Sequence, residues 1–104
     1  TSSLAKAAKF AALADARHRL VALAIAAERY RRAEGVLPTD LDQLVPRYVL
    51  LVPTDPFTGE PLKLIATADG IVLYSLGPNL ADDGGAPFEQ KGMTGDVSLR
   101  LRHW

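Results

Sequence analysis

The chain has 104 residues, room for one domain around one modest core, and its 48% apolar content excludes a disordered tail. It carries 12 basic and 12 acidic residues and no cysteine, which excludes disulfide stapling and thiol chemistry and leaves no overall basic charge for nucleic acid. The balance is not local: residues 1–35 hold seven basic against three acidic groups, a net of +4, and the remainder carries −4.

A dipolar chain of this kind can stack head to tail with copies of itself, and a solvated basic helix face accounts for the same count. The absence of cysteine fits a cytosolic protein, or an exported one stabilised by another staple such as a metal. No stretch reaches the roughly 18–20 apolar residues of a membrane span, and no signal-peptide pattern is present.

From Ser3 to Glu34 there is no Gly or Pro, and Ala, Leu and Arg dominate, which predicts one long helix over 3–34. Leu13, Ala16, Leu20, Leu23, Ala27 and Tyr30 step by three and four along one face. Val21 and Ile25 are expected to widen that stripe. Such a helix is longer than so small a domain can cover, so its N-terminal part, Leu4 to Leu13, is expected to project toward a partner. The chain begins inside this helix, and the expectation is that a natural N-terminal segment precedes it.

Gly35 is placed to end the helix and Pro38 prevents its continuation. Thr39 reads as the N-cap of a short helix over 40–45 that packs through Leu41, Leu44 and Val45. Tyr48–Val52 reads as extended. Pro53 to Pro61 is turn chemistry throughout, expected to be ordered and packed on the sheet with Phe57 at least half buried. A hairpin is predicted over 62–76, with Ala68-Asp69-Gly70 joining its strands and Ser75 on the wet face. A loop over 77–95 follows, then a last strand over 96–101. The fold class is α+β: a long N-terminal helix on a small three-stranded, mostly antiparallel sheet, in a single domain over 1–104.

Enzyme signatures are not evident: there is no Gly-rich phosphate loop, no His-Glu-x-x-His and no Gly-x-Ser-x-Gly, so no catalytic residue is assigned. His18 and His103 read as surface histidines. Arg29, Arg31 and Arg32 lack the interleaved aromatics of a nucleic-acid surface. The long loop is the informative stretch. Asn79, Asp82, Asp83 and Asp96 gather hard oxygen donors around glycines, the ligand type that calcium takes. The competing reading is a solvated acidic turn. A metal-dependent hydrolase built on Asp82, Asp83 and Asp96 is a weaker alternative, because no base or substrate-positioning group accompanies them.

Several short motifs in a fixed order carry a resemblance. They are Ala27, Tyr30, Gly35, Pro38 and Thr39; Leu44-Val45-Pro46; Val52-Pro53-x-Asp55-Pro56-Phe57; Tyr74-Ser75-Leu76-Gly77-Pro78-Asn79; Gly84-Gly85; and Asp96-Val97. Together they resemble the type II secretion major pseudopilins, a type IV pilin-like family, over roughly residues 20–98. The resemblance implies a pilin-like fold and a structural subunit that polymerises through its N-terminal helix with copies of itself or other pilin-like subunits. It further implies anchoring in the inner membrane through a preceding apolar segment, on the periplasmic or extracellular face. It implies a calcium-binding loop whose ligands would be the Leu76 carbonyl, Asn79, one or both of Asp82 and Asp83, and Asp96. Departures mark a divergent member: Asn79-Leu80 stand where the family has a Gly-x-Asp-Gly element, and the spacer before Asp96 is longer and holds Pro87 and Phe88. The alternative is a membrane-anchored pilin-like binding or scaffold module that does not polymerise.

Overall fold

The computed structural model describes residues 3–77 and 97–103. Helix α1 is Ser3–Glu34, as the Ala- and Leu-rich run requires. Gly35 ends it at φ +84°, its amide donating to the Arg31 carbonyl at 2.7 Å. That left-handed cap suits glycine, which has no Cβ to clash. Arg31 and Arg32 occupy the last turn, where cations favour the partial negative charge of the helix end. The helix is about 48 Å long at 1.5 Å per residue, the same as the longest dimension of the molecule, 48 Å.

Leu13, Ala16, Leu20, Leu23 and Ala27 are buried, with Tyr30 packed at the margin. The projecting end is shorter than its length suggested. Leu4 is 80% exposed and Phe10 47%, but Leu13, expected to project, already lies in the core one turn before Ala16. A second correction concerns Val21 and Ile25, which do not widen the core stripe: they are 46% and 58% exposed. At about 100° per residue, Phe10, Ala14, Val21 and Ile25 form their own line, roughly 130° round the helix from the core line. The helix has two apolar faces and the sheet covers one.

The short helix is a single 3₁₀ turn, Leu41–Leu44, and its cap is Asp40 rather than Thr39. Asp40 Oδ1 accepts from the Asp42 amide at 2.9 Å, while Gln43 Oε1 accepts from the amides of Asp40 at 3.1 Å and Thr39 at 2.7 Å. This reciprocal box satisfies the orphan donors one residue later than expected. Leu41 and Leu44 are buried beneath it. Tyr48–Val52 forms no strand; Tyr48 instead packs edge-on against Tyr30 at 5.9 Å, with the Arg29 and Arg47 guanidiniums 5.7 and 5.6 Å from its ring. These contacts fasten the segment to the end of α1.

Strands β1 (Lys63–Ala66), β2 (Gly70–Ser75) and β3 (Val97–Arg102) form an antiparallel sheet in the order β1-β2-β3. The fold is therefore α+β, a long helix on a three-stranded antiparallel sheet. Gly70 lies in β2 rather than in the connecting turn, and the amide of Thr67 closes that turn on the Gly70 carbonyl at 2.7 Å. Register puts Leu64, Leu73 and Leu99 in one row, and Ala66, Ile71 and Leu101 in the next. Except for the exposed Ala66, these rows belong to the core that includes α1; Leu73 and Ile71 are among the most deeply buried side chains. The alternation of side chains along a strand sends Val72 and Tyr74 to the other face, where both are also buried. A central strand covered on both sides reads as the unbroken apolar run Ile71–Tyr74.

Candidate functional site

The turn over residues 53–61 is built on Asp55. Its carboxylate Oδ1 accepts from the Phe57 amide at 2.9 Å, which is an Asx turn. Its carbonyl accepts from the amides of Thr58 at 3.2 Å and Gly59 at 2.8 Å, and its own amide donates to the Glu60 carbonyl at 2.6 Å. Gly59 takes φ +77° to close the turn. A bridge between Thr54 and Pro61 joins its two limbs. Phe57 is partly buried against the core, so the turn lies on the body of the domain.

From that turn Asp55 reaches across to the end of β2. Oδ1 accepts a second hydrogen bond, from the Ser75 hydroxyl at 2.8 Å, and Oδ2 accepts from the Leu76 amide at 2.8 Å. The side chain is 2% exposed, and the two ion pairs among the described residues, Asp15–Arg19 and Glu28–Arg31, do not include it. A charge removed from water needs compensating donors; here two amides and a hydroxyl supply them, in bonds stronger than neutral ones. Ser75, expected on the wet face, is buried instead, because its register partner Val97 faces the core and Ser75 must share that face.

The acidic loop is rooted at this place. Ser75 and Val97 pair across β2 and β3, so the segment between them leaves and re-enters the sheet at one point. Of the expected ligands, Leu76 lies within the description, and the peptide unit carrying its carbonyl is held by the Gly77 amide donating to Ser75 Oγ at 3.3 Å. Gly77 takes φ +77° there. Asn79, Asp82, Asp83 and Asp96 lie outside the described residues, as does most of the expected loop over 77–95. Among the described residues no cluster of three or more His, Asp or Glu could hold a metal. His18 and His103 are both exposed.

Sequence reasoning missed the role of Asp55, although its signal was present: Asp-Pro-x-Thr-Gly is an Asx-turn pattern, and a Ser closing an otherwise apolar strand invites a buried partner. It also missed two arginines that tie α1 to the rest of the fold. Arg19 donates to the carbonyl and hydroxyl of Thr54 at 2.7 and 3.0 Å, strapping the Asp55 turn to the helix. Arg31 donates to the Arg102 carbonyl at 3.2 Å, strapping the end of β3. Part of the basic helix face is thus intramolecular. Chemically, the arrangement is a clamp: it fixes backbone at the loop root.

Among the described residues no helix is long and apolar enough to cross a membrane. Compared with known proteins, the chain matches no family model and no curated protein.

Proposed function

We propose that the chain is a pseudopilin-like structural subunit of a type II secretion or type IV pilus-like assembly, joining other subunits through its N-terminal helix. The observation that carries this reading is the helix end beyond the core: Leu4 and Phe10 lie in the open on a helix that continues into the folded body without a break. Exposed large apolar side chains at the uncovered end of a helix support an assembly surface. The α+β arrangement of one long helix on a small antiparallel sheet is what the pilin-like reading requires. In that setting the protein sits on the periplasmic or extracellular face, anchored in the inner membrane, and works by assembly, with no catalytic step.

Calcium completes the proposal. The Leu76 carbonyl, Asn79, Asp82, Asp83 and Asp96 would hold it, a set of hard oxygen donors suited to that ion. The Asp55 clamp supports this by fixing the backbone on both sides of Leu76 before the loop begins. Bound there, the ion would supply charge neutralisation and tie the loop to its root.

Sedimentation of the chain over a wide concentration range tests the assembly reading. Concentration-dependent association, lost in Leu4→Asp and Phe10→Asp with no change in melting temperature, is the expected result. A chain that stays monomeric throughout favours an anchored module instead.

A further inference from the structure

We propose that a second copy of this chain seats its Leu50–Leu51 pair in the groove along Val21 and Ile25 of α1, so that copies join edge to edge in one direction. The proposal rests on the assembly reading and names the surface that receives the neighbour. The groove, about 310 Å³, runs between α1 and β3; Val21, Ala24, Ile25 and Leu101 give it an apolar lining, and Arg29, Arg32 and Glu28 line it too, Glu28 paired with Arg31. Leu50 and Leu51 are 84% and 79% exposed, two consecutive leucines standing out from the segment that follows the 3₁₀ turn. Neither feature is explained by the contacts of the described residues within a single copy.

Charge selects the partner. Leu51 leads directly into Val52, which lines a second hollow, of about 500 Å³, together with Asp40, Asp42 and Lys63, two acidic groups against one basic. Asp40 and Asp42 are exposed and take part in neither ion pair of the described residues, and the same is true of Arg32. Seating Leu50 and Leu51 between copies therefore brings an acidic margin to a basic rim, the complementarity that orients an interface. The pairing of α1 with the same face of α1 in another copy lacks this, since it sets Arg29 and Arg32 of one copy against Arg29 and Arg32 of the other.

Position selects the symmetry. The Val21–Ile25 groove includes Leu101 of β3, whereas the acidic hollow includes Lys63 and Leu64 of β1. Those are the two outer strands of the sheet. A contact between unlike surfaces at opposite edges leaves each surface free on the terminal copies, so it repeats along a line.

The chain has no cysteine, which permits a direct test with two exposed positions. Ile25→Cys and Leu51→Cys chains, distinguished by mass label, are mixed in equal amounts and oxidised mildly. Mixed disulfide dimers are expected several-fold above the share that random collision gives. Asp42→Arg in the Leu51→Cys chain should abolish the excess, and Arg32→Asp added to the Ile25→Cys chain should restore it. Dominance of either like-with-like dimer, or a random distribution, overturns the contact. Sedimentation separates the two failures: association without the mixed excess leaves the assembly reading standing, whereas a monomeric chain removes both.

Discussion

The Ser75 hydroxyl donates a 2.8 Å hydrogen bond to the Asp55 carboxylate across twenty residues of sequence, with both side chains buried. That bond joins the 53–61 turn to the last residue of the central strand. Replacing Asp55 by Ala leaves the Phe57 and Leu76 amides and the Ser75 hydroxyl without an acceptor. A loss of about 3 kcal/mol or more is expected, since each orphaned buried donor costs about 1–3 kcal/mol. Ser75→Ala removes one donor from the carboxylate and leaves the Gly77 amide without its acceptor, so it should cost about 1–3 kcal/mol. Asp55→Asn should not rescue, because its amide nitrogen would face the Leu76 N–H or the other two donors. Urea denaturation gives the three values. Proteolysis should open the Asp55→Ala turn first; full resistance there would mean that Pro53, Pro56 and Pro61 hold it unaided.

The two ends of α1 should respond differently to the same truncation. Leu23 is fully buried, so Leu23→Ala is expected to cost about 2–5 kcal/mol. Leu4→Ala should change stability by almost nothing. Equal losses in chemical denaturation would show that the helix is covered along its whole length.

Gly70 and Gly59 separate close approach from backbone conformation. A Cβ on Gly70 would lie 1.9 Å from the Leu101 carbonyl oxygen, and backbone on a neighbouring strand cannot swing aside. Gly70→Ala should therefore part β2 from β3 at their end, with a loss of about 3 kcal/mol or more, in the range of severe single substitutions. A Cβ on Gly59 meets nothing within 4 Å, and only its φ of +77° resists. Gly59→Ala should cost about 1–2 kcal/mol, the usual strain of a left-handed residue. Thermal unfolding of both variants would order them; the reverse order would refute the β2–β3 approach as described.

Calcium should raise the melting temperature of chelator-treated protein, because a ligand that binds only the folded state stabilises it as RT ln(1 + [L]/Kd). Asp96→Asn and a paired Asp82→Asn, Asp83→Asn variant should blunt the shift, while Asp42→Asn, in the 3₁₀ turn and outside the proposed ligand set, should leave it intact. A calorimetric titration without heat at millimolar calcium would remove the metal and leave the fold reading untouched.

The sequence by itself determined what depends on local chemistry. An uninterrupted Ala- and Leu-rich run with Gly35 at its end sets the limits of α1, and the apolar runs separated by turn residues set three strands, because propensity and capping act within a few residues. Only the tertiary structure decided which neighbours those elements meet. Val21 and Ile25 look like core on a helical wheel, yet they lie about 130° round α1 from the buried line and meet the sheet only at the groove beside Leu101, so they stay exposed. Asp55 looks like one more turn aspartate, yet strand register carries Ser75 and Leu76 to its carboxylate and makes it the buried anchor of the loop root. Local rules describe one element at a time, whereas burial and long-range hydrogen bonds are properties of pairs that exist only once the chain has closed on itself.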